Sequence, residues 1–430
     1  MKRYRFIQIP MLLFTLKWLV ITAIVAFLVG ISSAGFLKAL EWATETRIDN
    51  YWLLWLLPVG GFFIGLLYHL FGQDVEAGNN LILDRINLPK GVIPIKMAPL
   101  VLIGTIATHL FGGSAGREGT AVQMGGAIAD QFGPLFRFKK RDKKLLLISG
   151  VAAGFSSVFG TPLAGAIFGL EVFLLGKITY EAILPAFTAA ILADYFCQLA
   201  GSEQYFNISH THYHIGHTPD VNIINILWIC LAGIAFGLAG LSFSKLTKFF
   251  GGLFKKHIKY PPLRPFLGGI LVVGLAYLFG NRYIGLGIPV IENAFLQQEM
   301  PQAFLLKIIF TAVTLGAGFK GGEVTPLFFV GATLGSALSL VIDLPTGLLA
   351  GVGFVAVFSS AANTPIATIF MGIELFGHEG GHAAIIYIAL GCIIAYLFSG
   401  HSGIYSSQIV SHSKHSILMR DRGKNLGKLK

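Results

Sequence analysis

Long apolar stretches with few charged residues recur along the whole chain. They lie at residues 11–29, 52–71, 182–199, 223–243 and 384–398. About 20 mainly apolar residues form a helix long enough to cross the hydrocarbon core of a bilayer. Helices also keep their backbone groups hydrogen-bonded within that core. The pattern therefore predicts an all-α polytopic membrane protein.

The low charge content supports this prediction. Only 12% of the 430 residues are charged, whereas about 25% are charged in a typical soluble domain. The first apolar stretch is longer than the core of a signal peptide, and no clear small-residue cleavage site follows it. We therefore expect it to remain part of the fold.

The basic residues lie in a few clusters. The net charge is +11, and Lys and Arg concentrate at residues 2–5, 137–144, 245–259 and 414–430. Loops on the cytoplasmic side of membrane proteins carry such an excess. Residues 202–222 contain neither Lys nor Arg, so we expect them outside the cell and both termini in the cytoplasm. These positions fit a bilayer partner, and we expect no nucleic-acid partner.

The second half of the membrane region repeats the first. Residues 153–173 (AGFSSVFGTPLAGAIFGLEVF) and 356–376 (AVFSSAANTPIATIFMGIELF) are identical at ten of 21 positions, which include Glu171 and Glu374. Two further pairs of landmarks follow the same order: 116–120 (GREGT) with 321–325 (GGEVT), and 78–82 (GNNLI) with 285–289 (GLGIP). Three landmarks in one order, found twice, indicate two homologous halves.

We accordingly divide the chain into two membrane repeats and three short parts. The parts are a basic cytoplasmic N-terminus (1–8), a first repeat (9–205), an external polar loop (206–222), a second repeat (223–410) and a basic cytoplasmic tail (411–430). Homologous halves interrupted by glycine at matching places are typical of transporters, whose half-helix N-termini attract anions at the repeat interface. The half-helices that begin near Gly119 and Val324 should therefore converge on one site.

Glu118 is the candidate functional residue of this site. It lies in a glycine-rich turn, residues 112–119, that opens an apolar helix. A helix N-terminus attracts anions, and a carboxylate at bilayer depth is costly unless it serves a function. Such a carboxylate can compete with an anion for the same N–H groups, and its protonation then couples the two fluxes. The alternative is a structural ion pair with Arg117.

These motifs resemble the signatures of the CLC chloride channel and transporter family. The resemblance covers residues 116–126 (GREGTAVQMGG), 322–326 (GEVTP) and 403–406 (GIYS). It implies an inverted-repeat fold with half-helices meeting at the midplane, and a homodimer with one anion pathway in each subunit. By position, Glu118 becomes the gating glutamate. The implied anion-binding residues are Gly78, Asn79, Asn80, Gly116, Arg117, Gly119, Thr120, Gly322, Val324, Thr325 and Tyr405.

The first anion motif departs from the family pattern. Where the family has Gly-Ser-Gly-Ile-Pro, residues 78–82 read GNNLI, and the similar 285–289 (GLGIP) belong to the second repeat. Amide N–H groups of Asn79 or Asn80 can compensate the costly dehydration of a small anion such as fluoride. Together with Glu323 beside the site, they resemble the bacterial fluoride/proton antiporter branch of the family.

The internal proton route also departs from the pattern. Chloride-exchanging members carry an internal glutamate where this chain has Val172. Glu171 precedes that position, but its counterpart Glu374 in the second repeat indicates a structural role for both. Either protons take another route, for which Glu323 is our candidate, or the protein is a passive channel.

The sequence thus predicts a secondary-active antiporter that exports fluoride across a bacterial inner membrane in exchange for protons. The alternatives within the family are a chloride/proton exchanger and a passive anion channel. We expect the protein to be a transporter and not an enzyme, and we expect no cofactor.

Two enzyme signatures and one histidine-rich loop compete with this interpretation. Residues 378–382 (HEGGH) fit the zinc-protease pattern, although two glycines disfavour the required helical turn by about 1 kcal/mol each. Residues 112–116 (GGSAG) fit the nucleophile elbow, which needs a preceding strand, whereas the pattern here offers only helices. His210, His212, His214 and His217 could present a zinc face, but a solvated polar loop fits them better. We expect no metal site.

Overall fold

A computed structural model describes residues 8–208, 211 and 213–429, with the backbone alone for residues 377–380 and 418. Two of the four loop histidines, His210 and His212, lie outside the described residues. In the first half the helices are α1 (Gln8–Asp49), α2 (Leu57–Phe71), α3 (Asn79–Asn87), α4 (Met97–Leu110), α5 (Glu118–Asp130), α6 (Phe132–Leu135), α7 (Lys140–Phe159), α8 (Pro162–Glu171) and α9 (Ile183–Gly201).

The second half follows the same order of long and short helices. Its helices are α10 (Ile223–His257), α11 (Leu263–Phe279), α12 (Ile288–Leu296), α13 (Ala303–Ala317), α14 (Val324–Leu338), α15 (Thr346–Ala362) and α16 (Pro365–Phe398). Gly381, with φ 63° and ψ −164°, breaks α16 into two helices. The short strands are β1 (Leu174–Leu175) and β2 (Ile409–Val410), and 3₁₀ turns occupy Tyr51–Leu56, Tyr180–Ala182, Asn281–Tyr283, Ser416–Asp421 and Leu426–Lys428.

The prediction of a polytopic helical membrane protein is confirmed. Five described helical segments are long and apolar enough to cross a bilayer: Gln8–Asp49, Tyr51–Phe71, Tyr180–Gly201, Ile223–His257 and Gly381–Phe398. Each contains most of one predicted apolar stretch. Between them lie shorter apolar helices of 10–17 residues, among them α4, α8, α13, α14 and α15. Helices too short to span a bilayer are tolerated where their ends are buried in protein or line a cavity.

Glycine pairs bring the half-helices close to their neighbours. A Cβ on Gly125 of α5 would lie 2.3 Å from the Gly150 carbonyl oxygen of α7, and a Cβ on Gly331 of α14 would lie 2.0 Å from the Gly353 oxygen of α15. The two contacts occupy matching places in the two repeats. Small residues allow such close helix packing inside a membrane, so these glycines let α5 pack tightly on α7 and α14 on α15.

The two repeats are joined by a reciprocal pair of carboxylates. Glu171 accepts the N–H groups of Ile366 and Ala367 at 3.3 and 2.9 Å, at the start of α16. Glu374 accepts those of Leu163 and Ala164 at 2.8 Å each, at the start of α8. Each carboxylate therefore satisfies N–H groups that the other repeat's helix leaves without a partner. This arrangement agrees with the structural role expected for both residues.

A small parallel strand pair corrects the expectation of helices alone. Leu174 pairs with Ile409 and Leu175 with Val410. The tail then folds back on this strand, since the Val410 N–H donates to Lys424 at 3.0 Å and the Leu426 N–H donates to Gln408 at 2.9 Å. Strands of two residues are too short for an alternating pattern to reveal them.

Candidate functional site

The glycine motifs of the two repeats pair directly with each other. The Gly116 N–H donates to the Gly322 oxygen at 2.6 Å, and the Gly322 N–H donates to the Gly116 oxygen at 2.7 Å. A Cβ on Gly322 would lie 2.7 Å from the Gly119 nitrogen, so only glycine fits this approach. The bridge brings the N-termini of α5 and α14 together, as the sequence predicts.

The Glu118 carboxylate lies on the N-terminus of α14, the half-helix of the other repeat. It is 1% exposed and accepts the Thr325 N–H at 3.1 Å. The Thr325 hydroxyl also donates to it, as does the Arg117 N–H at 3.1 Å. A carboxylate in this place receives both the helix dipole and direct hydrogen bonds. Glu118 thus fills a site where an anion would be stabilised in the same way.

Arg117 holds Glu118 less tightly than α14 does. Its Nε lies 3.9 Å from Glu118 Oε1, which is beyond hydrogen-bonding distance. That Nε is buried and makes no hydrogen bond within the described part of the chain. The geometry therefore favours the contact with α14 over the structural ion pair as the main partner of Glu118.

Glu118 and Glu323 face different cavities. A small cavity of about 20 Å³ is lined by Arg117, Glu118, Tyr213 and Thr325, among others. A second cavity of about 140 Å³, which we call the polar cavity, is lined by Glu323 and by residues from several other parts of the chain. The lining residues of the polar cavity include Gly78, Asn79, Asn80, Gln123, Lys320 and Tyr405.

The two predicted asparagines and the predicted tyrosine therefore line the same cavity. Asn79 and Asn80 form the first turn of α3, and Gly78 before them has φ 56°. Asn80 Oδ1 accepts the Ser407 N–H at 3.0 Å, while Asn79 Oδ1 is buried without a partner among the described residues. Tyr405 is 5% exposed and packs on Phe168, with ring centroids 6.3 Å apart.

Other predicted residues lie beside the site without lining either cavity. The Thr120 hydroxyl is 2.7 Å from that of Thr105 in α4, and Val324 is 1% exposed within the core. Gly116, Gly119 and Gly322 contribute backbone at the bridge. The two threonines thus differ, because Thr325 contacts Glu118 and Thr120 joins α4 to α5.

Sequence reasoning missed several residues that line or support the polar cavity. Gln123 lies within the quoted motif, Ser407 binds Asn80, and Tyr68 and Lys320 line the cavity wall. Gln123 could have been predicted, because it is a polar residue in an otherwise mainly apolar helix. The sequence around Tyr68 and Lys320 gives no comparable indication, because the direction of their side chains depends on tertiary packing.

The internal position assigned to a proton-transfer glutamate holds an apolar side chain. Val172 is 2% exposed, and its carbonyl oxygen accepts Gln408 Nε2 at 2.8 Å. The adjacent Glu171 is engaged with the start of α16. Neither residue lines the polar cavity.

The enzyme signatures lack the backbone they require. Gly381 interrupts the helix between His378 and His382, so no continuous turn aligns the two histidines. The stretch 112–116 follows helix α4 and not a strand. In the part of the chain that the structure describes, no three His, Cys, Asp or Glu residues are grouped to hold a metal ion. The side chain of His378 lies outside that part.

Comparison with known proteins identifies the family. A model described as voltage gated chloride channel, the CLC family, matches residues 60–400. The chain belongs to this family. It is therefore a membrane-embedded, multi-pass anion transporter or channel, as the resemblance of its motifs implied.

Relatives of this CLC chain include fluoride and chloride proteins. A "Chloride/fluoride channel protein" of Pseudomonas syringae pv. tomato is 51% identical over 415 residues, 95% of this chain and 90% of the relative. An "H(+)/Cl(-) exchange transporter ClcA" of Yersinia pseudotuberculosis serotype IB is 26% identical and covers 90% of this chain and 86% of its own length.

Solved structures share the fold. A CLC-type fluoride/proton antiporter superposes with a TM-score of 0.86 at 34% identity, covering 91% of this chain and 97% of its own. A slow cyanobacterial Cl−/H+ antiporter superposes with a TM-score of 0.73 at 21% identity, covering 89% of this chain and 94% of its own, and supports the fold alone. The predicted inverted-repeat fold of the CLC type is confirmed.

Proposed function

We propose that this CLC protein is a secondary-active fluoride/proton antiporter that exports fluoride, with Glu118 as its protonatable gate. One observation carries the proposal: the Glu118 carboxylate occupies the N-terminus of α14, with the N–H and hydroxyl of Thr325 as donors. These are the groups that would bind a small anion. The side chain is therefore positioned to compete with the transported ion.

Competition of this kind couples the two fluxes. An ionised Glu118 holds the N-terminus of α14 and excludes the anion. Protonation removes the charge, weakens the charge-assisted hydrogen bonds, and lets fluoride take the place of the carboxylate. Because one turn of helix accepts either the carboxylate or the ion, proton binding and fluoride binding are linked. Exchange of fluoride for protons follows from this single competition.

Three features support fluoride as the substrate. The polar cavity of about 140 Å³ carries two asparagines where the family motif has serine. Asn80 Oδ1 is engaged by the Ser407 N–H, which leaves its amide N–H groups as donors. Fluoride needs strong donors to replace its water, and the names of a 51% identical relative and a 34% identical structure include this ion.

Glu323 is our candidate for the proton step at the polar cavity. It lines that cavity, and it neighbours the paired glycines next to Glu118. The position of Val172 offers no titratable group. A carboxylate at the cavity wall can exchange protons with water there and pass them toward the gate.

We further propose the remaining site residues, the oligomeric state and the membrane orientation that the sequence predicted. The remaining site residues, from Gly78 to Tyr405 as named above, would contribute anion donors or line the path. Two subunits would form a homodimer with one pathway each, in a bacterial inner membrane and with both termini in the cytoplasm. The basic loops at residues 137–144 and 245–259 would then face the cytoplasm.

Ion efflux from liposomes containing the purified protein tests the proposal. Vesicles loaded with fluoride or with chloride are followed by an ion electrode, while a second electrode follows external pH. We expect fluoride to leave, chloride to stay behind, and protons to move in the opposite direction. Equal or faster chloride efflux would overturn the fluoride assignment. Fluoride efflux without proton movement would make the protein a channel.

A further inference from the structure

A third cavity, larger than the two described above, adjoins the polar cavity. It has a volume of about 460 Å³, and its charged lining residues are Glu76, Lys255, Arg264 and Lys320. We call it the basic cavity. Tyr68, Glu76 and Lys320 line both cavities. The two spaces therefore adjoin at these three residues, and an ion that moves between them passes Lys320.

Lys320 is the only basic residue among the described residues that line the polar cavity. Its Nζ lies 3.9 Å from the centre of the Tyr68 ring. Its aliphatic stem packs on Gly104, where a Cβ would lie 2.9 Å from Lys320 Cγ. A cation over a tyrosine face is stabilised in place without losing its charge. Packing thus holds the ammonium group at the junction.

No carboxylate forms an ion pair with Lys320 in the described part of the chain. Glu76 is close enough to act on it electrostatically, but it is exposed to solvent. Lys307, by contrast, has the contacts of a lysine with a structural role. It is fully buried, and its Nζ donates to the carbonyl oxygens of Tyr283 and Gly285 at 3.1 and 2.8 Å.

We propose that Lys320 recruits the anion from the basic cavity into the polar cavity. This role rests on the proposed anion transport, and it adds a residue that neither the repeat pattern nor the motifs assign. A positive charge at a constriction with low-dielectric walls raises the local concentration of anions. Tyr68 positions the charge, and Glu76 opposes it. Lys320 therefore sets how readily the ion enters from this side, while the ion's replacement of Glu118 sets the maximal rate.

Concentration dependence separates recruitment from a structural role. Initial fluoride efflux is measured against internal fluoride concentration for the wild type, Lys320→Met, Lys320→Arg and Glu76→Gln. We expect Lys320→Met to raise the half-saturating concentration by about threefold to tenfold with the maximal rate and the fluoride-to-proton ratio unchanged. Lys320→Arg should restore the wild-type value, and Glu76→Gln should lower it.

The ionic-strength dependence provides the second measurement. The wild-type half-saturating concentration should rise with added salt of an impermeant anion, because screening weakens the attraction. Lys320→Met should respond less. Lys255→Met, which alters the basic cavity alone, should have a smaller effect. An unchanged half-saturating concentration in Lys320→Met would overturn the proposal, as would a reduced maximal rate with unchanged concentration dependence.

The proposal and the fluoride function can fail separately. If the wild type moves chloride and not fluoride, the same variants are measured with chloride, since a point charge recruits either anion. A Lys320-dependent chloride curve would keep the recruitment role while the fluoride assignment fails. Normal fluoride exchange with identical curves for all four proteins would overturn the role and leave the proposed function intact.

Discussion

Two glutamates of the first repeat have counterparts in the second: Glu171 matches Glu374, and Glu118 matches Glu323. The two pairs differ in their contacts with the other repeat. Glu171 and Glu374 exchange contacts, because each carboxylate accepts two N–H groups at the start of the other repeat's helix. Glu118 reaches the other repeat's half-helix as well. Within the described residues, no hydrogen bond joins the Glu323 carboxylate to α5, and Glu323 lines the polar cavity instead.

The difference separates the scaffold from the proposed transport site. Symmetric contacts leave both half-helix ends occupied and fix the repeats against each other. The broken symmetry places Glu118 at the N-terminus of α14, while Glu323 lines the polar cavity. A helix N-terminus that is occupied by a protonatable carboxylate can accept a mobile anion once that carboxylate leaves. The departure from symmetry therefore coincides with the N-terminus of α14, where we propose that the ion competes with Glu118.

The same departure appears at the third landmark. Asn79 and Asn80 of the first repeat line the polar cavity. In the matching stretch of the second repeat, Leu286 is buried, and the Gly285 oxygen accepts Lys307 Nζ at 2.8 Å. One copy thus lines the polar cavity, which we propose as part of the ion path, and the other packs in the core. The following changes test this contrast, from the largest expected effect to the smallest.

Glu118→Gln should have the largest effect. The amide keeps the shape of the side chain but cannot ionise, so it can neither exclude the anion by charge nor carry a proton. We expect fluoride-driven proton movement to fall by about 100-fold or more, as measured with paired fluoride and pH electrodes. Thermal unfolding in detergent serves as the control that the variant is folded. Full proton coupling in this variant would refute the gate.

Glu374→Gln tests the symmetric pair. The amide loses the charge that accepts the N–H groups of Leu163 and Ala164, and the same change at Glu171 acts on α16. We expect each variant to lower the free energy of unfolding by about 1.5–3 kcal/mol, measured by thermal unfolding in detergent. The surviving folded fraction should keep the wild-type fluoride-to-proton ratio. Loss of coupling with unchanged stability would contradict the division between scaffold and site.

Much of the scaffold was predictable from local pattern. The five membrane-spanning helices follow from the length of the apolar stretches. The repeat follows from identical residues at matching positions, such as Glu171 and Glu374. The meeting of α5 and α14 followed from the matched glycine motifs. The contact of Glu118 with α14 could not be predicted in this way. It depends on the bridge between Gly116 and Gly322, which are about 200 residues apart in the sequence.

The surroundings of the site were less predictable for the same physical reason. Gln123 lines the polar cavity because of the orientation of α5, which a periodic apolar pattern does not fix when nearly every residue of a helix is buried. Tyr68 and Lys320 line it because α2 packs near the loop between α13 and α14, which local sequence does not reveal. The packing of the tail was not predictable either. Its basic composition gives no sign that Leu426 and Gly427 donate backbone hydrogen bonds to residues 408 and 406.

Glu323→Gln tests the asymmetric partner of Glu118. The amide removes a titratable group from the polar cavity but leaves no N–H group of α5 unsatisfied. We expect the proton flux that accompanies fluoride to fall by about tenfold, less than in Glu118→Gln, because water in the cavity can still deliver protons. Stability should remain at the wild-type value. A loss of stability like that of Glu374→Gln would instead make Glu323 a member of the scaffold.

Asn79→Ser tests the copy of the third landmark that faces the cavity, and it should have the smallest effect. Serine shortens the side chain and removes the amide donors, so fluoride loses part of the compensation for its water. We expect the ratio of fluoride to chloride flux to fall by about threefold to tenfold, the equivalent of one hydrogen bond. Leu286→Ala in the matching stretch, which faces the core, should lower stability and leave the ratio unchanged. Equal selectivity in the wild type and in Asn79→Ser would remove Asn79 from the proposed ion path and leave Asn80, held by Ser407, as the asparagine that supplies the donor.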